Sequence, residues 1–225
     1  MNQKGKIIVI EGLDGSGKST QIEILFDKLT EMGFDAKRLK FPDYDSKSSE
    51  LVKMYLNGEI GEIEDVNLYA ASTFYSADRY ISYKTVWQNG YENGCLYTLD
   101  RYTTSNIIYQ MAKLEKTEWD KYIEWLWDFE FVRMNLPEPD LVIYLDMPPK
   151  LSKILMEKRY SANGGKMDIH EKNTEYLEKC REAAFYASKK LGWNVISCAE
   201  AGGNEALKIE DVSEKILAIV LGFLA

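Results

Sequence analysis

Residues 6–12 read Lys-Ile-Ile-Val-Ile-Glu-Gly, an apolar run with no polar alternate inside it. Such a run, rich in β-branched residues and closed by a glycine, predicts a strand buried on both faces. Helical spacing of apolar residues follows over Lys18–Met32 and stops at Gly33. Residues 34–41 predict a second short strand, ended by Pro42. Ser48–Asn57 predicts a helix ending at Gly58, and Val66–Gln88 one long helix with small and aromatic residues on its faces. Residues 94–100 and 139–146 predict the third and fourth strands, Thr103–Met111 and Glu118–Met134 the helices between them. Pro149–Tyr160 predicts a helix, 161–168 a loop, Glu171–Leu191 a helix, Trp193–Ser197 a fifth strand and Ile209–Leu224 a last helix. Strand and helix alternate throughout, so the expected fold is α/β: a doubly wound sheet of five parallel strands flanked by helices. No linker rich in Pro, Gly or Ser divides residues 1–225, which predicts one domain.

Composition narrows the function. The formal net charge is −8 and there is no Lys/Arg-dense stretch, so no nucleic-acid partner is expected. A small anionic ligand stays possible, because a few placed cations hold one. Cys95, Cys180 and Cys198 form no metal-ligand spacing and no even framework, which points to buried thiols in a reducing, cytoplasmic compartment. The apolar stretch near Met1 and the one over Ile216–Ala225 are too short for a membrane span, so no membrane partner is expected.

Residues 12–19, Gly-Leu-Asp-Gly-Ser-Gly-Lys-Ser, fit G-x-x-x-x-G-K-[ST]. Four fixed positions recur by chance in roughly one chain of this length in a hundred. Here the motif also follows a strand and opens a helix, as phosphate binding requires: backbone N–H groups turn inward and the helix N-terminus faces the anion. The pattern assigns Gly12, Leu13, Asp14, Gly15, Ser16, Gly17, Lys18, Ser19 and Thr20 to an ATP site. Lys18 reaches the β- and γ-phosphates and Ser19 holds Mg²⁺. Asp100 ends the third strand at the carboxyl edge of the sheet, where an acid holds the metal's water shell. Asp146, at the end of the fourth, competes and ranks lower because Pro148-Pro149 follows. A regulatory GTPase needs Asn-Lys-x-Asp, which is missing. A motor-type ATPase usually has a second acid after the strand-end Asp, whereas here Arg101 follows. A cation beside the phosphate site suggests a second phosphate to be held, and hence a kinase acting on a phosphorylated acceptor.

At this point the chain resembles the thymidylate kinase family of P-loop nucleoside monophosphate kinases. The stretches that carry the likeness are IVIEGLDGSGKSTQ, FPDY, YSADR, LDRYTTSNIIYQ, LPEPDLVIYLD and DIHEKN with YLEKCREAA. They fall in the family's order from residue 6 to about 190, and YSADR with DRYTTSNIIYQ is far more discriminating than the phosphate loop. The resemblance implies a P-loop kinase fold with a short lid near 158–168. It also implies ATP and dTMP as substrates, Mg²⁺ with the ATP, and a homodimer.

It further implies roles for single residues. Arg101 binds the acceptor phosphate and Arg79 reads the thymine carbonyl. Tyr75, one turn before Arg79, stacks on the base where the family usually has Phe. Asn106 and Tyr109 contact the thymine ring and the 2′ side of the sugar, with Ser105 and Gln110 nearby. Asp14 lies near the acceptor phosphate and 3′-hydroxyl. Phe41, Pro42 and Tyr44 form the loop that contacts the monophosphate; many relatives place an arginine there, and here Asp43 stands at one of the variable positions. Gly15 replaces the arginine that one form of the family carries in the P-loop, which shifts catalytic cations to the lid: Lys158, Arg159 and Lys166, with Arg159 expected to be catalytic beside Asp14, Lys18 and Arg101. Gly164-Gly165 supplies a hinge. Asp168 and Glu171 face the acceptor sugar, Asp168 also the metal, and His170 between them makes a local contact.

Asp-Arg-Tyr occurs twice, at 78–80 and 100–102. The resemblance makes the two arginines the two ends of one ligand. Replacing Arg101 should then weaken every acceptor, and replacing Arg79 mainly the preference for thymine. Two other readings stay open on the sequence: another kinase of this group, either a deoxynucleoside kinase with Asp43 as base or an enzyme for a different monophosphate, and a nucleotide-binding regulatory protein without turnover.

Overall fold

The computed structural model describes residues 4–62, 65–163 and 174–225, and the side chains of all of these except 158–163 and 174. Five strands form one parallel sheet: β1 (Lys6–Gly12), β2 (Ala36–Lys40), β3 (Leu96–Asp100), β4 (Leu141–Asp146) and β5 (Asn194–Ser197). Their order is β2-β3-β1-β4-β5. Because β1 is central, alternate residues feed two separate cores. Ile7 and Val9 pack on one face with Tyr97, Leu99, Val142 and Tyr144. Ile8 and Ile10 pack on the other with Leu96, Ile143 and Leu145. The first face is covered by α3 (Leu68–Ser82), α5 (Thr103–Met111), α6 (Trp119–Trp127) and α8 (Thr174–Leu191), the second by α1 (Lys18–Glu31) and α9 (Ile209–Leu224). This is the expected doubly wound sheet. β1 pairs with β3 through Ile10 opposite Asp100 and with β4 through Gly12 opposite Leu145. The carboxyl ends of β1 and β3 therefore open together, at the switch in strand order where such sheets bind ligands.

The remaining helices are α2 (Glu50–Leu56), behind a 3₁₀ turn at Lys47–Ser49, α4 (Gln88–Glu92) and α7 (Pro149–Asn163). Three expectations change. The long helix expected over Val66–Gln88 begins only at Leu68, where the Asn67 side chain accepts from the Tyr69 and Ala70 N–H groups, and it widens into a π segment over Tyr83–Trp87. That segment seats Trp87, 1% exposed, beneath Tyr83, Tyr91, Tyr97 and Tyr102. The helix expected over Glu118–Met134 is likewise α6 followed by a π segment, Asp128–Arg133. Residues 161–163, expected to open a loop, continue α7. The rest of that expected loop, with Lys166, Asp168, His170, Glu171 and the Gly164-Gly165 hinge, lies outside the described residues.

No helix among the described residues is long and apolar enough to cross a membrane. Cys95, Cys180 and Cys198 are free and buried, and burial pushes the Cys198 thiol up to about 12.

Candidate active site

Strand β1 delivers the chain into the glycine-rich turn, and the turn ends on α1. Gly17 caps that helix at φ 87°, a conformation that costs glycine nothing, and α1 carries no acidic residue in its first turn. The helix end is thus open to an anion. Gly15 is held at φ 77°, and a Cβ there would lie 2.7 Å from the Ser152 carbonyl oxygen and 2.9 Å from Met156. The turn packs against α7 with no space for a side chain, so an arginine could not stand at this position without moving α7. Lys18 is 6% exposed and bends back so that its Nζ donates to the Leu13 carbonyl at 2.9 Å. Burial, and then the positive charge of Arg101, push its pKa down to about 8. Leu13 itself is a core residue, and Gly12 lies deep against Ser16 and the Leu145 carbonyl.

Asp100 and Ser19 come together across the β1–α1 turn. The Ser19 hydroxyl donates to Asp100 Oδ2 at 2.8 Å. The second oxygen, Oδ1, is buried and has no partner among the described residues. A buried carboxylate oxygen without a partner is costly unless something else engages it. An oxygen-donor pair with one orphaned lone-pair set suits a hard divalent cation and its water shell, so Ser19 and Asp100 fit Mg²⁺. Asp146 is already committed: Arg181 donates to both its oxygens, at 2.7 and 2.9 Å.

Arg101 follows Asp100 with φ 70°, a left-handed conformation that is strained for a side chain this large. Its surroundings hold it there. Its Nη2 pairs with Asp14 Oδ1 and donates to the Tyr109 hydroxyl at 3.2 Å, and the guanidinium lies 5.0 Å from the Tyr109 ring centre. The Tyr109 hydroxyl also donates to Asp14 Oδ2 at 3.0 Å. Burial alone would raise the Asp14 pKa, but Arg101 and Lys18 hold it well below the usual carboxylate range. Asp14 thus stays ionised and fixes both cations.

Glu11, which the sequence reading passed over, supports this arrangement from beneath. It is fully buried and accepts from Thr104 Oγ1 at 2.6 Å, from Ser105 Oγ at 2.9 Å and from the Tyr102 N–H at 3.2 Å. It therefore pins the first turn of α5, directly after Arg101, to the end of β1. Burial raises its pKa, against the lowering pull of Arg101. The Ser105 hydroxyl is taken up by this contact.

One cavity of about 500 Å³ joins these groups to the helices above the sheet. Asp14, Gly15, Gly17, Lys18, Ser19, Thr20, Asp100 and Arg101 line its phosphate end. Phe41, Pro42 and Tyr44 line the loop side, and Tyr75, Arg79, Ser105, Asn106, Tyr109 and Gln110 the helical side. The sequence-predicted residues within the described part thus converge, apart from Gly12, Leu13 and Ser16, which shape the turn from behind. Arg159 lies on α7 with its side chain outside the described residues. Tyr75, and not Phe74, faces the cavity. Gln110 Oε1 is buried and has no partner among the described residues. The Asn106 amide donates to the Ser72 carbonyl at 3.3 Å. Asp78 was also missed: its carboxylate accepts from Ser48 Oγ and, at 3.1 Å, from the Asp43 N–H, tying the 41–48 loop to α3. Asp43 sits among these loop contacts and does not line the cavity.

Comparison with known proteins places this geometry. A family model described as thymidylate kinase matches residues 10–216. A thymidylate kinase of Arabidopsis thaliana is 29% identical over 221 residues, covering 97% of this chain and 72% of that one. One of Mycobacterium tuberculosis is 31% identical over 192 residues, covering 83% and 87%. The solved thymidylate kinase of Candida albicans superposes with a TM-score of 0.69 at 26% identity, covering 97% of this chain and 92% of that one.

Proposed function

The chain belongs to the thymidylate kinase family, and from that premise we propose how its residues carry out the family's reaction, transfer of the ATP γ-phosphoryl group to dTMP to give dTDP and ADP. The observation that carries the proposal is the position of Arg101. It lines the cavity at the phosphate end beside Lys18 and bridges Asp14 of the phosphate turn to Tyr109 of α5, the helix that also brings Asn106 and Gln110 to the cavity. Its guanidinium matches the oxygens of an acceptor phosphate and keeps its charge at any working pH.

The backbone of residues 12–19 and Lys18 hold the donor's β- and γ-phosphates. Arg101 holds the acceptor phosphate, and Asp14 and Tyr109 hold Arg101. Ser19 and Asp100 would hold Mg²⁺, which neutralises phosphate charge when bound. Tyr75 and Arg79 take the base, with Asn106 and Gln110 beside it, and Phe41, Pro42, Tyr44 and Ser105 close the monophosphate side. Tyr109 crowds the 2′ position. The family resemblance adds Arg159 from the lid and, after the lid in sequence, Asp168 and Glu171. No general base is required: a phosphate monoester loses its second proton near pH 6, so its attacking oxygen is already anionic. The work is placing two phosphates in line.

A coupled ADP-release assay over dTMP, dCMP, dAMP, dGMP and thymidine tests the reading. Turnover of dTMP above the others supports it. Phosphorylation of thymidine without dTMP, or tight ATP binding with no turnover on any acceptor, would sink it.

Lys18 gives a pH prediction. Free in the protein it titrates near 8, whereas bound phosphate oxygens favour its charged form. ATP binding should therefore take up as much as one proton above pH 8. Affinity should be flat below pH 8 and fall by up to about tenfold per unit above it. Calorimetry in buffers of different ionisation enthalpy measures the uptake; pH-independent binding from 7 to 9.5 would refute the assignment.

The proposal extends to a homodimer in the cytoplasm. The exposed apolar residues Tyr69, Tyr80 and Ile81 on α3 support the dimer, and light scattering should give twice the mass of one 25.9 kDa chain. A monomer at micromolar concentration would exclude it.

A further inference from the structure

Glu130 does not line the cavity and is fully buried, yet every part of its carboxylate is engaged. Oε1 accepts from Ser76 Oγ at 2.6 Å and pairs with Arg79 Nη2. Oε2 accepts from Arg79 Nε at 2.9 Å and from Thr103 Oγ1. The residue sits in the π segment Asp128–Arg133, the kind of widened turn that often carries a functional side chain. Arg79 is 1% exposed and lines the cavity that Glu130 backs. With Nε and Nη2 held from behind, the guanidinium is left with its Nη1 end. Among the described residues that end meets only the Tyr102 carbonyl, at 3.4 Å, the long limit of a hydrogen bond.

A buried ion pair is a weak device for stability alone, since apolar side chains of similar volume commonly do as well or better. Retaining one here points to a second use. We propose that Glu130 is a positioning residue for base selection. It grips Arg79 by one edge, so that the Nη1 end faces the ligand as a donor-only group, matched to a base carbonyl and opposed to an exocyclic amine. The inference rests on the proposal that dTMP occupies this cavity. Two hydrogen bonds from Arg79 to a carboxylate that Ser76 and Thr103 hold in place fix the plane of the guanidinium; without them Arg79 could turn toward another partner such as Asp78. An amine set against fixed N–H donors leaves buried donors unpaired, which is worth about tenfold or more in discrimination.

The test is steady-state kinetics of Glu130→Gln and Glu130→Asp with dTMP and dCMP, beside the wild type. In Glu130→Gln the KM for dTMP should rise about tenfold or more, the scale of a lost charge-assisted hydrogen bond. The kcat at saturation and the KM for ATP should stay within about twofold, and the dTMP-over-dCMP ratio of kcat/KM should fall about tenfold. Glu130→Asp keeps the charge but withdraws it, and should show the same pattern in smaller degree. A purely structural pair would instead lower the melting temperature and the active fraction with KM values unchanged, and that result overturns the proposal. So does failure of both variants to fold. Wild-type protein inactive on dTMP would overturn the functional reading itself; wild-type protein active on dTMP with unchanged Glu130 variants would overturn only this inference.

Discussion

Arg101→Ala is expected to lower kcat/KM by about 10²–10³-fold for every nucleoside monophosphate tested, the scale of removing one preorganised charge-stabilising donor from an active site. The loss should be uniform across bases, because on the proposed assignment the guanidinium would contact only the phosphate, which all these acceptors share. Stability should change little. The Arg101 and Asp14 side chains are 15% and 25% exposed, and Asp14 keeps Lys18 and Tyr109 as partners. Alanine at φ 70° carries no more backbone strain than arginine did. A second effect is separable: Arg101 is the main charge lowering Lys18, after burial. Its removal should move the break in ATP affinity upward from pH 8. Arg101→Lys should recover part of the activity, because a point charge replaces charge but not the two-pronged geometry. Kinetics over several acceptors, with ATP titrations from pH 7 to 10, give both readouts. A loss confined to dTMP would show that Arg101 reads the base and not the phosphate.

Arg79→Ala is expected to cost about 3–5 kcal/mol of stability, because it leaves the Glu130 charge buried without its counter-ion. For a chain of this size that is a fall in melting temperature of roughly 6–20 °C. The sequence alone suggested a substitution that acts on base preference and little else. The structure adds the larger effect, since Arg79 is buried and Glu130 is fully enclosed. Arg79→Met combined with Glu130→Met removes both charges at once. It should regain most of the stability while losing the preference for dTMP over dCMP. Thermal melts of the single and double variants decide the point. Equal melting of Arg79→Ala and the wild type would mean that the pair contributes nothing to the fold.

The two Asp-Arg-Tyr triplets show what sequence can and cannot say. Locally they are identical. The first lies within α3: its aspartate holds a loop, its arginine meets Glu130 and its tyrosine is 37% exposed. The second lies at the end of β3: its aspartate meets Ser19, its arginine Asp14, and its tyrosine is wholly buried with its hydroxyl on the Pro137 carbonyl. The elements themselves were legible, because hydrophobic period and glycine placement are local properties. So was the phosphate turn, because all its parts are contiguous over residues 12–19.

The partners were not. Glu11 meets Thr104 and Ser105 across more than ninety residues, and Glu130 meets Arg79 across 51. Nothing in a run such as Asp-Phe-Glu-Phe-Val-Arg marks its second acid as buried, because burial there follows from a π turn that periodicity does not announce. By itself the sequence determined the sheet, the helices around it and the cradle at the end of β1, since these depend on neighbours along the chain. Only the tertiary structure decided which carboxylates hold which arginines, since that depends on groups brought together after the sheet has formed.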